Sequence, residues 1–292
     1  MPSNDKKSIL ELTLGQLFPK TLTDTSCVYI FKEKEVSVAL EMCAQYMEST
    51  IDSIVVTDDL DKAIGIIGGY DLLDYIRQNP TRESQYLTKV NEIMFQTIPQ
   101  FEKDTKLKHL IEFWERSRRA FAVVLGPNGK YSPVSARKML ELGKKIHTDL
   151  HISSFSKKNI VTFKIDDSLG KVLDLMFENN TRKLVLENTN LFTCDRLILG
   201  EISKILKFQQ NFEYFLDLPI KNFRLEYIWK AQEDLNINQI CLIMDRMDHP
   251  YIMFKDMVIT PWDFCHLLAS EDIIEPFIED NLTCPHCGNI VP

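Results

Sequence analysis

Apolar and polar positions follow the same scheme four times along the chain, with a period of roughly 65 residues. Each copy has a short apolar lead-in, an extended stretch, an amphipathic helix, two short strands separated by a turn, and a final helix. The helical spacing is clearest in the second copy, where Leu107, Leu110, Ile111 and Trp114 stand at i, i+3, i+4 and i+7. The pattern therefore predicts four βαββα units.

Short apolar runs predict the strands of each copy. The turn between the last two strands is clearest in the second copy, where Gly126 and Gly129 flank Pro-Asn. The first strand is expected at 28–31, 98–101, 160–163 and 227–229 in the four copies. The two later strands are expected at 53–56 and 64–67, 120–124 and 131–134, 183–186 and 196–199, and 250–254 and 256–259.

The last strand and helix of the units resemble those of the CBS-domain family (cystathionine-β-synthase-type repeats). The family motif is Gly-apolar-apolar-Thr/Ser-x-x-Asp. This chain has Gly65-Ile-Ile-Gly68-Gly-Tyr-Asp71 in the first copy and Met257-Val-Ile-Thr260-Pro-Trp-Asp263 in the fourth. The resemblance implies an α/β (α+β) fold of four repeats in two tandem pairs, called Bateman modules, which could close into a disc. This organisation is similar to that of the gamma subunit of AMP-activated protein kinase.

The resemblance also implies where the repeats begin and end. They are expected at residues 1–80, which include an N-terminal segment, and at 81–145, 146–210 and 211–272, followed by a tail at 273–292. The first repeat is expected to pair with the second, and the third with the fourth. The charged segment from Gly143 to Lys158 would then separate the two modules.

Thr260 and Asp263 are the strongest candidates for contacts with a ligand. The end of a strand places Thr260 at a helix N-terminus, where unpaired N–H groups and the helix dipole favour an anion. In the CBS family the equivalent Asp holds the ribose hydroxyls and the Thr lies near the ribose and phosphate, so the resemblance implies an adenine nucleotide here. The same pair also fits a capping box, in which both side chains bond to the backbone of their own helix.

The other three copies depart from the motif. In the first, Asp71 keeps the ribose position, but Gly68 replaces the hydroxyl residue. In the second, Ser135 is followed by Lys138, and a lysine cannot accept hydrogen bonds from a ribose. In the third, neither register of residues 200–204 matches. We therefore expect ligand sites in the first and fourth copies and altered sites in the other two.

Charged and aromatic residues near the starts of the middle strands are candidates to complete these sites from the paired repeat. A guanidinium fork suits a diphosphate or triphosphate better than a lysine does, while Asp52 in the first copy would repel a phosphate. The alternative interpretation is solvated surface charge and ordinary packing. The candidates are Arg116, Arg118 and Arg119 in the second copy, Arg182 and Lys183 in the third, His249 in the fourth, and the aromatic residues Tyr70, Tyr251 and Trp262.

Cys284 and Cys287 form a separate motif near the C-terminus. Two cysteines separated by two residues and followed by Gly288 suit a knuckle that presents two thiolates to zinc. A closed structural site needs four ligands, and the sequence has no second such pair. The same knuckle of a second chain would complete the site, which predicts a homodimer. A redox dithiol and a tail that binds no metal are the alternatives.

Composition limits the class of protein. The 292 residues include 34 Lys and Arg against 42 Asp and Glu, a net charge of −8, which argues against a general binder of nucleic acids or anionic membranes. No apolar run reaches the ~18–20 residues that cross a bilayer, and the N-terminus lacks the features of a secretory signal. The cysteines outside the knuckle are scattered, as in proteins with reduced thiols. We therefore expect a cytoplasmic protein.

The sequence carries no P-loop, dinucleotide-binding, zinc-protease or hydrolase motif, so we expect no catalysis. The predicted function is that of a regulatory protein which binds AMP, ADP, ATP or another adenosyl ligand such as S-adenosylmethionine and signals its presence to an effector protein. Three alternatives remain open. They are a ligand-free adaptor built of degenerate repeats, a nucleic-acid-associated factor that uses the knuckle, and a redox enzyme that uses Cys284 and Cys287.

Overall fold

A computed structural model describes residues 8–19, 22, 25–45, 53–126, 129–146, 148–155, 159–209, 212–232 and 234–270. The strands are β1 Tyr29–Phe31, β2 Ser53–Thr57, β3 Ala63–Gly68, β4 Gln100–Phe101, β5 Phe121–Leu125, β6 Tyr131–Ser135, β7 Thr162–Phe163, β8 Lys183–Leu186, β9 Leu191–Cys194, β10 Glu226–Tyr227, β11 Trp229–Lys230, β12 Ile252–Phe254 and β13 Met257–Ile259.

The helices lie before, between and after these strands along the chain. They are α1 Leu14–Leu17, α2 Val36–Gln45, α3 Gly69–Gln78, α4 Arg82–Leu87, α5 Val90–Ile93, α6 Leu107–Ser117, α7 Met139–Gly143, α8 Leu169–Glu178, α9 Asp195–Phe208, α10 Ile237–Asp245 and α11 Pro261–Ser270. Short 3-10 helices lie at Ile9–Glu11, Ala136–Lys138, Ile152–Ser154 and Ile220–Asn222.

The described strands form four small mixed sheets. The sheets are β1-β2-β3, β4-β5-β6, β7-β8-β9-β10 and β11-β12-β13, which we call the first to fourth sheets. In each sheet, the first and second strands in chain order run parallel and are joined through a helix. The second and third strands form an antiparallel pair. Parallel neighbours require such a crossover, and antiparallel neighbours need only a turn. The predicted α/β (α+β) class is confirmed.

The sheets pack in two pairs. Val55 of the first sheet shares a buried cluster with Phe121 and Val123 of the second. Val185 of the third sheet shares another with Met253 of the fourth. Strand residues on these faces are apolar, and most of them are β-branched or aromatic, which suits a buried pleated surface. The first and second sheets therefore form one half of the molecule, and the third and fourth form the other.

Helices join the two halves. Helices α2 and α3 of the first half share a core with α8 and α9 of the second, and α6 and α7 share another with α10 and α11. Two glycines permit close approach at these contacts. A Cβ at Gly69 would lie 2.9 Å from Asp195 Oδ2, and a Cβ at Gly143 would overlap Cys241 Sγ. A side chain at Gly143 would push the paired helices apart, whereas one at Gly69 would displace the Asp195 carboxylate.

The structure corrects the last strand of the third copy. The strand predicted at 196–199 is wrong, because those residues lie inside α9, and the strand is β9 at Leu191–Cys194. The turn after β8 comes early, at residues 187–190, where Asn188 has a φ of 58°. Asparagine tolerates this left-handed conformation better than most residues. Asp195 then begins α9, where the helix dipole favours its carboxylate.

The strand predicted at 227–229 is divided between two sheets. Strand β10 pairs antiparallel with β9 in the third sheet, whereas β11 pairs parallel with β12 in the fourth. Ile228 lies between them, is buried, and donates its backbone N–H to the carbonyl of Asn190 at 2.8 Å. This short segment therefore links the third sheet to the fourth.

None of the helices that the structure describes combines the length and apolar character needed to cross a membrane.

Candidate functional site

The predicted site residues lie at the same end of each sheet. Strand register places Lys183, which begins β8, directly opposite Cys194, which precedes α9. In the fourth sheet the register of β12 and β13 brings Tyr251 beside Thr260. The start of the middle strand and the N-terminus of the last helix are thus neighbours in both sheets, which is the arrangement that a site at this edge requires.

Thr260 and Asp263 cap helix α11. Asp263 Oδ2 accepts hydrogen bonds from Thr260 N at 2.9 Å and from Thr260 Oγ1 at 2.7 Å, and Asp263 N donates to Thr260 Oγ1 at 3.4 Å. The capping box described above is therefore present in the structure. A ligand hydroxyl at this carboxylate would have to compete with, or add to, these bonds.

Lys183 and Tyr251 come together from different sheets. Lys183 Nζ lies 5.7 Å from the centre of the Tyr251 ring, within the range of a cation–π contact. Phe192 packs edge-on against the same ring, with the two centroids 5.4 Å apart. Burial raises the pKa of the Tyr251 phenol well above its usual value, so the hydroxyl remains protonated and can donate.

His249 stands two residues before Tyr251, and its side chain is almost fully buried. Its side chain is 6% exposed, with Nδ1 3.7 Å from Cys194 Sγ and Nε2 3.7 Å from Glu226 Oε2. Desolvation lowers the pKa of the imidazole, and attraction to Glu226 opposes only part of this effect. The neutral ring can donate or accept a hydrogen bond, but it does not supply the positive charge that the sequence suggested for this position.

Cys194 offers no nucleophile beside this histidine. Burial raises the pKa of its thiol to about 12, so the thiolate is not formed near neutral pH. Burial also raises the pKa of the Cys43 thiol to about 12. The charge of Arg196 lowers that pKa slightly and the charge of Asp195 raises it slightly. The arrangement of Cys194, His249 and Glu226 is therefore a packed polar contact and is unsuited to nucleophilic catalysis.

A cleft opens next to His249, where the third and fourth sheets meet. Its volume is about 290 Å³, close to the lower end of the range for small-molecule sites, about 300–1,000 Å³. Aromatic and charged side chains both line it. The lining residues are Phe192, Glu226, Tyr227, Trp229, Arg246, Met247, Asp248, His249 and Tyr251.

Of the nine residues that line this cleft, only His249 and Tyr251 were predicted as site residues, and the other seven were not. Glu226, Trp229 and Arg246 belong to no motif; the segment around Ile228 carries Glu226 and Trp229 into different sheets, and Arg246 comes from the end of α10. A weak signal was present: Tyr227 and Trp229 flank the buried Ile228, and they are 83% and 41% exposed. Large aromatic side chains on the solvent side of a strand are typical of a binding surface.

A second cluster lies between the first and second sheets. Arg119 donates from Nη1 to Asp71 Oδ2 at 2.9 Å and from Nη2 to Asp71 Oδ1 at 2.5 Å. Asp71 Oδ2 also accepts a hydrogen bond from the backbone N–H of Gly68 at 2.9 Å. The guanidinium lies 4.2 Å from the centre of the Phe95 ring. Two predicted site residues are thus brought together, and they bind each other.

The remaining candidates lie outside these two clusters. Arg118 is exposed at the end of α6 in a left-handed conformation, with a φ of 57°. Tyr70 packs against Phe177 with 4.7 Å between ring centroids, and Trp262 packs edge-on against His266. These aromatic residues therefore contribute to packing between elements.

The second and third copies lack the carboxylate of the motif. Lys138 occupies its position in the second copy and pairs with Glu141 at 2.8 Å. In the third copy the position falls to Leu197, which is buried, once the strand is placed at Leu191–Cys194. Asp195 is close by and nearly buried, 3.8 Å from Arg182, but it stands two residues earlier in the helix.

Cys284 and Cys287 lie outside the described residues, as does Asp52. Among the residues that are described, no group of three His, Cys, Asp or Glu side chains is placed to hold a metal ion. The zinc site therefore stays a prediction.

Comparisons with known proteins identify the fold. No family model matches the sequence, and a comparison with curated proteins finds no match. The structure is similar to that of a Methanocaldococcus jannaschii protein proposed as an archaeal homologue of the AMPK gamma subunit, with a TM-score of 0.66, 16% identity, and 85% of this chain and 98% of that chain covered. An uncharacterised Pyrococcus horikoshii protein is similar over the same shares, at 12% identity and a TM-score of 0.50. The fold is that of CBS-domain proteins.

Proposed function

We propose that this chain, which has the fold of CBS-domain proteins, is a non-catalytic regulatory protein that binds an adenine nucleotide and signals its presence to an effector protein. The cleft of about 290 Å³ between the third and fourth sheets carries the proposal. Phe192, Trp229 and Tyr251 offer aromatic faces for a base. Thr260 and Asp263 do not line the cleft; they lie at the N-terminus of α11, across the strand register from Tyr251, where ribose and phosphate groups can be bound.

The walls of this cleft suggest how occupancy is transmitted. Phe192 belongs to the third sheet, whereas Trp229 and Tyr251 belong to the fourth or lead into it. A ligand that touches both sheets favours the orientation in which both contacts form, because it shifts the equilibrium by its differential affinity. Strand β9 continues into α9, which packs against α2 of the other half. The effector protein would respond to that change in orientation.

The proposal extends to the organisation of the chain. We propose four CBS repeats with the boundaries given above, arranged as two modules that face each other through their helices. The two buried sheet clusters and the two helix cores support this arrangement. A cytoplasmic location follows from the predicted reduced thiols and from an intracellular ligand.

A thermal-shift titration with AMP, ADP, ATP and S-adenosylmethionine tests the ligand. At ~100 times its dissociation constant, a ligand stabilises the folded state by about 2.7 kcal/mol per site. We expect the shift to fall in Asp263→Ala, which removes the carboxylate of the fourth copy. Ser168→Ala is a matched control, because Ser168 caps α8, does not line the cleft, and its loss also costs about 1 kcal/mol.

The control separates loss of a cap from loss of a ligand contact. Both variants should melt at a lower temperature than the unaltered chain, and only Asp263→Ala should respond less to the ligand. An equal response in all three proteins would contradict a site at Asp263. No response to any ligand, in protein shown to carry none from purification, would leave the proposal without support.

A ligand-free adaptor is the second candidate function. It is favoured by the ion pair between Asp71 and Arg119 and by Lys138 and Leu197 at the carboxylate positions of the middle copies. Such changes would accumulate in repeats that serve only as a scaffold. Mass spectrometry of small molecules released from the purified protein distinguishes the two functions, because an adaptor would release no adenosyl compound.

We further propose that Cys284 and Cys287 bind zinc together with the same pair from a second chain. The proposal is supported by their spacing and by the need for four ligands in a closed site. We expect about one zinc per two chains and a dimeric mass in solution. Cys284→Ser should remove the metal and yield a monomer; a dimer without zinc would contradict the proposal.

A further inference from the structure

Arg137 connects the second copy to the wall of the cleft in the other half of the molecule. It lies in the short 3-10 helix that follows β6, within the altered motif of that copy. Its guanidinium donates from Nη1 to the backbone carbonyl of Asp248 at 2.8 Å and from Nη2 to that of Met247. Both of these residues line the cleft between the third and fourth sheets. One side chain of the first half therefore holds two consecutive carbonyl groups of a binding surface in the other half.

The cleft segment, by which we mean residues 246–251, joins the end of α10 to the start of β12. The backbone N–H bonds shown for this segment reach only two or three residues back along the chain. The two bonds from Arg137, in contrast, span 110 and 111 residues. A planar guanidinium fixes two acceptors at once, because its donors have a rigid fork geometry. Arg137 therefore fixes the cleft segment against the second copy.

The end of α10 favours cations, and two of them reach it from the second copy. Carbonyl groups at a helix C-terminus lack partners within the helix and carry partial negative charge. Lys144 of α7 forms an ion pair there, with Nζ 2.5 Å from Asp245 Oδ2. This ion pair is made to a side chain in the last turn of the helix, whereas Arg137 bonds to the backbone beyond it. The two cations can therefore be compared, one holding the helix and one holding the cleft segment.

His249 makes the position of the cleft segment measurable. Its Nδ1 lies 3.7 Å from Cys194 Sγ, and Cys194 is fully buried. Displacement of the segment would move the imidazole away from this thiol and expose it to a reagent. Cys265 is also buried, in the core shared by α11 and the helices of the second copy. Its reactivity reports on opening of that core and not on the cleft segment.

We propose that Arg137 is a positioning residue of the cleft, which holds the cleft segment in the conformation that binds ligand. The second copy, whose own motif carries Lys138 in place of the carboxylate, then serves as a support for the ligand site beside the fourth sheet. The effect on ligand binding rests on the proposed function. The effect on the cleft segment does not, since the bonds from Arg137 are made without a ligand.

Labelling of the ligand-free chain with N-ethylmaleimide tests the effect on the cleft segment. Loss of hydrogen bonds from a charged donor should make Cys194 in Arg137→Ala react at least about tenfold faster relative to Cys265, as measured by mass spectrometry of peptides. Lys144→Ala is the matched control, because it removes a cation from the same helix end but leaves the bonds to Met247 and Asp248. It should leave the ratio unchanged.

A second variant decides the question if Arg137→Ala does not fold. Arg137→Lys retains the positive charge near the end of α10 but lacks the fork that reaches two carbonyls. We expect the ratio of Cys194 to Cys265 labelling to change in the same direction and by less. A ratio that stays at the value of the unaltered chain in the Arg137 variants, or that rises equally in Lys144→Ala, overturns the inference.

Calorimetric titration with AMP tests the effect on ligand binding. Subtracting the signal of Asp263→Ala leaves the binding that depends on the fourth copy. We expect this binding to be about tenfold weaker in Arg137→Ala and unchanged in Lys144→Ala. Faster labelling of Cys194 with unaltered AMP affinity overturns the support of the ligand site, while the proposed function stands. Absence of adenine nucleotide binding in the unaltered chain overturns the proposed function, and the labelling ratio alone then decides whether Arg137 holds the cleft segment.

Discussion

His249 shows how one buried side chain can make stability depend on pH. The pKa of its imidazole in the folded chain lies below the usual value of 6.5, chiefly because the ring is desolvated. Arg196 lowers the pKa further, whereas Glu226, Asp195 and Asp248 raise it. Since the unfolded chain takes up a proton more readily, the contribution of His249 to stability is fully present above about pH 6.5 and is lost as the pH falls toward the lowered pKa.

We therefore expect the free energy of unfolding to fall between about pH 7.5 and pH 5.5, and to fall less in His249→Gln. Urea denaturation at the two pH values measures this difference. His266→Gln is the control, because His266 is partly exposed on α11 beside Glu115. If His249→Gln and the unaltered chain lost stability equally on acidification, His249 would have no part in the effect.

Asp263 and Asp71 illustrate what single residues in the sequence could predict about the site. The motif located both carboxylates at the third position of a helix, and capping was already one of the two interpretations for Asp263. The partner of Asp71 could not be predicted, because Arg119 lies 48 residues away and reaches it only when two sheets pack together. Arg118 and Arg119 are equivalent candidates in the sequence, and the left-handed turn at Arg118 decides between them.

At the scale of helices, Gly143 is a sensitive position. A Cβ there would overlap Cys241 Sγ and lie 2.9 Å from Phe264 Cζ, where α7 contacts α10 and α11. We expect Gly143→Ala to lower the free energy of unfolding by about 1–3 kcal/mol, the usual effect of overpacking a core. Urea denaturation measures the change.

Cys241→Ala provides the matched control for this contact. Alone it should cost about 1 kcal/mol or more, because it leaves a small void. Combined with Gly143→Ala it should recover part of the loss, since the added methyl group fills the space of the removed sulfur. Strictly additive effects would show that the overlap is relieved elsewhere and not at Cys241.

Most elements could be predicted from the spacing of apolar residues, and of the two errors one has a local cause. The run of Leu197, Ile198 and Leu199 was interpreted as a strand because it is short and apolar, which periodicity cannot distinguish from one side of a buried helix. The decisive signals were the turn at Asn188 and the helix-starting Asp195. The division of residues 226–230 between two sheets had no sequence signal, because it depends on how those sheets are placed.

At the scale of the molecule, helices of the two halves share the two described cores, and backbone hydrogen bonds from Phe215 to Pro80 and from Arg82 to Glu213 also join the halves. A ligand in the cleft between the third and fourth sheets should therefore affect the first half through α9 and α2. We expect AMP to slow amide hydrogen exchange at 195–208 and at 36–45, in addition to the cleft itself. Mass spectrometry of exchanged peptides measures the effect, and Asp263→Ala should reduce it. Protection confined to 226–260 would show that occupancy does not reach the other half.

The position of Trp229 makes ligand occupancy visible by fluorescence. The chain has three tryptophans; Trp114 is fully buried, Trp262 packs against His266, and Trp229 is 41% exposed in the cleft wall. An indole that faces water emits at longer wavelength than one in a core, and a stacked purine quenches it. Trp114 thus reports on unfolding, while Trp229 reports on the cleft, so that filling the cleft and melting the fold can be followed separately in one unlabelled sample.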